Sequence, residues 1–133
     1  TFIDTSGFYA ILVKRDDKHT AAVRRLRAKG KNRRRFVTTD YVLDETSTLL
    51  KARGHGHLLP QFFTVIFGSQ VCDVEWMDPT RFQACNSLFL KHLDHDWSFT
   101  DCMSFVVMRE RKLTDALTKD AHFREAGFAP LLV

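Results

Sequence analysis

The 133-residue chain lacks any apolar run approaching the roughly 20 residues that span a bilayer, which excludes a membrane helix within it. It lacks a basic N-terminal stretch followed by an apolar one, so no secretory signal is expected, and because it opens on Thr1 rather than Met, residues ahead of it are expected. Cysteine is scarce: Cys72, Cys85 and Cys102 are widely spaced, and no Cys-x-x-Cys pair exists. That disfavours a zinc knuckle and a disulfide framework, and it points to small buried thiols in a reducing compartment, the cytoplasm. Repeats, low-complexity tracts and linkers are also missing, so residues 1–133 are expected to form one domain.

Acidic residues are absent from one long segment. Residues 18–39 hold nine basic groups (Lys18, Arg24, Arg25, Arg27, Lys29, Lys31, Arg33, Arg34, Arg35) and no carboxylate. The net charge is +4, so the remainder keeps 11 basic against 16 acidic side chains. An acidic body with one basic patch suits a protein that attracts a polyanion while holding a cation; the plainer reading is a solvated helix face. A hydrophobic content of 44% with 12 Phe argues for an ordinary globular core.

Along the chain, short strand-like segments alternate with helical ones, the pattern of an α/β layer fold. Thr1-Phe2-Ile3 reads as a first strand, Thr5-Ser6-Gly7 as a turn, and Phe8 to Val13 as a short helix. Asp16 or Asp17 caps a helix through about Lys29, stopped by Gly30. Phe36-Val37-Thr38 is a second strand; Asp40 caps the helix after it, ended by Gly54. Leu58 to Phe67 is helical with Pro60 near its first turn, and Val71 to Trp76 alternates as an edge strand does. Asp78-Pro79 starts a helix bearing Phe82, Cys85, Phe89 and Leu93 on one face. Ser98 caps an almost wholly apolar helix, Thr100 to Arg111, and Ala116-Leu117-Thr118 is an inner strand. Ala121 to Ala126 is a helical turn, and Pro130 to Val133 a closing strand.

Against this frame four carboxylates stand out. Asp4 closes the first strand, Glu45 lies one turn into the helix after the second, Asp101 opens the apolar helix, and Asp120 follows an inner strand. A carboxylate beside the core is costly unless paired, and four together repel unless a cation lies between them. In a parallel α/β sheet ligands gather beyond the carboxyl ends of strands, so all four can meet at one edge. Hard divalent ions such as Mg²⁺ and Mn²⁺ take such oxygen donors, and a basic segment would offset a phosphodiester backbone.

Phe2-Ile3-Asp4-Thr5-Ser6-Gly7-Phe8 resembles the opening of PIN-domain ribonucleases, and Thr39-Asp40-Tyr41-Val42-Leu43-Asp44-Glu45-Thr46 resembles their second acidic motif. Ser98 to Phe105 is similar to the third, and Ala116-Leu117-Thr118-Lys119-Asp120-Ala121-His122-Phe123 to the closing motif of the VapC toxin type. The resemblance covers nearly the whole chain. It implies a three-layer α/β/α fold with a central, mostly parallel sheet, and a Mg²⁺- or Mn²⁺-dependent endoribonuclease whose products carry 5′-phosphate and 3′-hydroxyl ends. Carried over by position, Asp4, Asp101 and Asp120 would ligate the metal. Glu45 would bind it directly or through a water and would help position or deprotonate the attacking water. Thr5, Ser6 and Thr118 would hydrogen-bond the carboxylates or the scissile phosphate. The toxin type further implies an RNA substrate, a cognate antitoxin and a homodimer, here expected through Phe62, Phe63 and Phe67.

Each residue also has a plainer reading. Ser98-Phe99-Thr100-Asp101 is a capping box, a role compatible with metal binding. Asp115 rivals Asp120 but sits at the strand's entrance, and Asp44 points about 100° away from Glu45 around its helix. The pairs His55/His57 and His92/His95 lack a third ligand for zinc, while His122 reads as structural or close to substrate. A non-catalytic RNA-binding module of the same fold is the alternative function. A phosphatase using Asp4 as nucleophile would want a second Asp where Ser6 stands.

Overall fold

The computed structural model describes residues 1–31 and 35–133, with the side chains of 29–31 left aside. Of the basic run, Arg33 and Arg34 and the side chains of Lys29 and Lys31 therefore lie outside the described residues. Among the described residues five strands, β1 (Phe2–Ile3), β2 (Phe36–Thr39), β3 (Cys72–Glu75), β4 (Asp115–Leu117) and β5 (Ala129–Pro130), form a sheet in the order β3-β2-β1-β4-β5. Every neighbouring pair is parallel, so the expected mostly parallel sheet is parallel throughout. Among the described residues seven α-helices cover it: α1 (Thr5–Leu12), α2 (His19–Lys31), α3 (Asp40–Ala52), α4 (Leu59–Gly68), α5 (Pro79–Lys91), α6 (Phe99–Glu110) and α7 (His122–Glu125). The architecture is the three-layer α/β one. None of the described helices is long and apolar enough to cross a membrane.

Parallel strands buried on both faces need continuous apolar sequence, and β1 and β2 supply it: Phe2, Ile3, Phe36 and Val37 are all buried. β3 lies at the edge, where Asp73 and Glu75 alternate with Cys72 and Val74, as the period-two pattern predicts. Helix α6 is central, with Cys102, Met103, Phe105, Val107 and Met108 fully buried.

Local capping chemistry sets most helix starts. Asp78 accepts the Arg81 amide at 2.7 Å, and Ser98 and Asp101 complete a reciprocal capping box. Four expectations need correcting. Thr5-Ser6-Gly7 is the first turn of α1, not a separate turn, because Asp4 already occupies its N-cap position. Gly30 does not stop α2, which runs to Lys31. Thr39, not Asp40, caps α3, accepting the Val42 amide at 3.1 Å; Asp40 instead accepts the Met77 amide and ties α3 to the end of β3. Leu93 lies beyond the end of α5 and is 64% exposed, so it is no part of that helix's buried face.

Gly7 explains why α1 can begin where it does. A Cβ there would stand 2.0 Å from the Leu117 carbonyl oxygen, so only glycine lets α1 lie directly on β4. The order β3-β2-β1-β4-β5 turns back between β1 and β4, and that reversal opens a crevice beyond the two strands' carboxyl ends. Asp4 leaves β1 and Asp120 closely follows β4 at this point.

Candidate active site at the sheet switch point

The register Phe2↔Ala116 and Ile3↔Leu117 places the exits of β1 and β4 side by side, and the Asp4 amide continues the ladder to the Leu117 carbonyl at 3.2 Å. Asp4 is buried. Its carboxylate Oδ2 accepts the Thr118 hydroxyl at 2.9 Å. Because a hydroxyl has one proton and that proton goes to Asp4, Thr118 Oγ1 accepts from the Asp120 amide at 3.0 Å and from the Ser6 hydroxyl at 3.1 Å. Ser6 Oγ in turn accepts the Lys119 amide at 2.8 Å. One buried threonine thus fixes the start of α1 to the loop carrying Asp120.

Burial pushes the Asp4 carboxyl up to about 7, overcoming hydrogen bonds from the Thr5 backbone and the Thr118 hydroxyl; the charges of Asp101 and Glu45 push the same way. Asp101 is also raised, chiefly by burial and further by Asp120, against hydrogen bonds from Ser98 and His122. Asp101 and Glu45 thus act on Asp4, and Asp120 acts on Asp101. Clustered carboxylates pushed toward protonation are what a site looks like when its compensating charge is a cation.

Within that neighbourhood the closest donor group is not the four acids. Asp101, Asp120 and His122 each offer one ligand atom, and these atoms lie within 4.8 Å of one another. Asp101 Oδ2 accepts the Ser98 amide at 3.1 Å and stands 3.1 Å from His122 Nδ1, so the cap and the site share a carboxylate. Asp120 Oδ1 accepts the His122 amide at 2.8 Å and lies 3.3 Å from the same ring nitrogen. Burial alone would depress the His122 imidazole, but Asp101 and Asp120 outweigh it and raise it above its usual range. Asp4 and Glu45 fall outside this tight trio; Glu45 is exposed on α3, open to solvent. A set of carboxylate oxygens with one imidazole nitrogen fits a divalent cation.

Other sequence candidates sort by position. Asp115 begins β4, at the end of the strand away from Asp120. Thr5 Oγ1 is buried with no hydrogen-bond partner. His122 was legible only as an Asp-x-His spacing; its partnership with Asp101, 21 positions earlier, was not. Lys119 Nζ contacts Asp16 and Asp17, each at 2.7 Å, and so holds the approach to α2 beside this loop. On α2, His19, Arg24 and Arg27 line an open basic depression. A mostly apolar groove of about 540 Å³ between α1, α2 and α4 is lined by none of the four acids.

Known proteins show the family and the fold. The 23S rRNA-specific endonuclease VapC20 of Mycobacterium tuberculosis, in strains CDC 1551 / Oshkosh and ATCC 25618 / H37Rv, is 33% identical over 127 residues, covering 96% of this chain and 94% of the relative. A crystal structure of M. tuberculosis VapC20, described as a sarcin-ricin loop cleaving toxin, matches with a TM-score of 0.86 at 30% identity, covering 96% of this chain and 95% of that one. The PIN domain model matches residues 1–129. The resemblance read from four acidic motifs is therefore borne out across almost the full length, and the chain belongs to the PIN-domain family and is similar to a VapC toxin endonuclease.

Proposed function

We propose that this chain is a divalent-metal-dependent endoribonuclease, the toxin of a toxin–antitoxin pair, with Asp4, Glu45, Asp101 and Asp120 as its working carboxylates. The observation that carries the reading is the convergence of Asp101 and Asp120, with Asp4 beside them, at the switch point of a parallel sheet. Asp4, Asp101 and Asp120, with Glu45 directly or through a water, would hold Mg²⁺ or Mn²⁺. Such an ion lowers the pKa of water and offsets charge on a phosphoryl group.

The chain's own groups do the rest. Glu45, exposed at the rim, positions the attacking water and takes its proton. Thr118 orients Asp4 by donating to Oδ2, and Ser6 fixes Thr118. Thr5 would hydrogen-bond the carboxylates or the scissile phosphate. Arg24 and Arg27, exposed on α2, meet the RNA backbone as point charges without reading sequence. Water as nucleophile leaves 5′-phosphate and 3′-hydroxyl ends.

Since the relatives are 23S rRNA-specific, large-subunit ribosomal RNA is the first substrate to test. A cognate antitoxin, a cytoplasmic location, a single domain over 1–133 and a homodimer complete the proposal. For the dimer, Phe62 is buried in the core, whereas Phe67 is 57% exposed and stacks on Trp76, so Phe67 is the aromatic able to meet a second copy.

The test is cleavage of ribosomal RNA with Mg²⁺ or Mn²⁺ by the wild type, Asp4→Asn and Asp101→Asn. Each variant should lose at least about 100-fold in rate with an unchanged circular-dichroism spectrum. Equal rates would place the chemistry elsewhere. Absence of both cleavage and metal binding would favour the non-catalytic RNA-binding module.

A further inference from the structure

We propose that His122 is a direct nitrogen ligand of the cation and shifts the site's preference from Mg²⁺ toward first-row transition ions such as Mn²⁺. The inference rests on the reading of the acids as a metal site and adds a ligand that the four-carboxylate set does not contain.

The geometry is that of a partial coordination shell. His122 Nδ1 stands 3.1 Å from Asp101 Oδ2 and 3.3 Å from Asp120 Oδ1. Neighbouring donors around an octahedral ion with bonds of about 2.1 Å are about 3.0 Å apart, so the two separations match adjacent ligand positions. A single ring nitrogen donates one hydrogen bond, yet two carboxylates converge on it. Asp101 Oδ2 takes the ring nitrogen's hydrogen bond, while Asp120 Oδ1, held by the His122 amide, stands at a second donor-to-donor distance from the same nitrogen.

The surroundings hold each donor in place independently of the ion. Asp101 Oδ2 takes the Ser98 amide, and Asp120 Oδ1 takes the His122 amide, which aims the histidine back over the preceding aspartate. Phe123, the next residue, is fully buried against Phe2 and Phe105, which anchors α7 beneath the imidazole. The imidazole itself is 29% exposed, Asp120 32% and Asp101 11%, so the trio is supported from below and open to solvent above. That opening leaves positions for water and a phosphate oxygen.

Imidazole adds affinity for transition ions and little for Mg²⁺, which prefers oxygen and gives up water reluctantly. The Asp-x-His pair is therefore a selectivity device set on top of a carboxylate site.

Pulsed electron paramagnetic resonance of the Mn²⁺-loaded wild type should show ¹⁴N coupling that disappears in both His122→Ala and His122→Asn, the latter keeping a side-chain amide able to hydrogen-bond Asp101. Competition calorimetry should show Mn²⁺ affinity falling by about tenfold or more in either variant, while Mg²⁺ affinity changes by less than about threefold. Mn²⁺ bound to the wild type without nitrogen coupling, or coupling that persists in both variants, overturns the role of His122. Failure of the wild type to bind Mn²⁺ at all, or binding unaffected by Asp101→Asn, overturns the carboxylate site itself, so the two failures are distinguishable.

Discussion

Thr118 Oγ1 donates to Asp4 Oδ2 across 2.9 Å, joining residues 114 positions apart in the chain. The same oxygen receives the Asp120 amide and the Ser6 hydroxyl, so one buried side chain sets the relative positions of two proposed ligands and the first turn of α1. Its hydrogen bonds are fully used, and deleting it would strand several partners at once.

Thr118→Val keeps the volume and removes the node. Leaving the Asp120 amide and the Ser6 hydroxyl without their acceptor should cost about 1–3 kcal/mol in urea denaturation. RNA cleavage should fall about 10–100-fold, as for other groups that orient metal ligands. Thr118→Ser retains the hydroxyl and should recover most of both. A Val variant as active as wild type would remove the orienting role.

The raised Asp4 carboxyl makes cation-free stability fall as pH rises. Its ordinary value is 3.8 and its folded value about 7, so between these the folded state binds more protons than the unfolded chain. The slope of unfolding free energy with pH is then negative. Metal-free protein should melt at a lower temperature at pH 8 than at pH 6, and Asp4→Asn should flatten that difference and raise the melting temperature at pH 8. Added Mn²⁺ should stabilise the wild type most at pH 8, where the carboxylates are ionised. An unchanged pH slope in Asp4→Asn would show that another group carries it.

Gly7→Ala tests the close approach of α1 to β4. A methyl 2.0 Å from the Leu117 carbonyl forces the helix off the strand that carries Thr118. Despite alanine's better helix propensity, the variant should lose about 3 kcal/mol by denaturation and much of its activity. A stabilised Gly7→Ala protein would contradict this packing.

Edge strand β3 is held by ions on the opposite flank of the sheet. Arg81 bonds Glu75 at 2.7 Å and Glu110 at 2.9 Å, while Arg111 bonds Glu75 at 2.7 Å and Asp73 at 3.0 Å. Burial would raise Asp73 and Glu75, but their arginine hydrogen bonds outweigh it and hold both below the usual range. Their contribution is present above that range and lost as pH falls through it, the reverse of Asp4. Arg81→Ala should cost about 1–3 kcal/mol at neutral pH and less at pH 3, with the cleavage rate per folded molecule unchanged. A loss independent of pH would mean that the arginine acts through packing alone.

Much of the fold was legible because its determinants are local. Asp78-Pro79, Ser98 with Asp101, and Gly54 at φ 79° mark helix ends through chemistry that spans three or four residues. Gly7 and Asp40 were misread because each has a distant partner. Gly7 looked like a turn because glycine usually is one, whereas its reason lies in Leu117. Asp40 looked like a cap, whereas it accepts the amide of Met77 across a loop. The contact of His122 with Asp101 was not legible because Asp101 belongs to another helix.

The sequence by itself determined the alternation of strands and helices, the burial of β1 and β2, and the position of each acid at a strand exit or helix start. Those follow from hydrophobic periodicity and capping, which act within a few residues. Only the tertiary structure decided that Asp4 is tied to Thr118 and Asp101 meets Asp120 through His122, for a reason of geometry. Parallel strands β1 and β4 pair across more than a hundred residues, and the sheet's reversal between them brings to one crevice side chains that no local pattern connects.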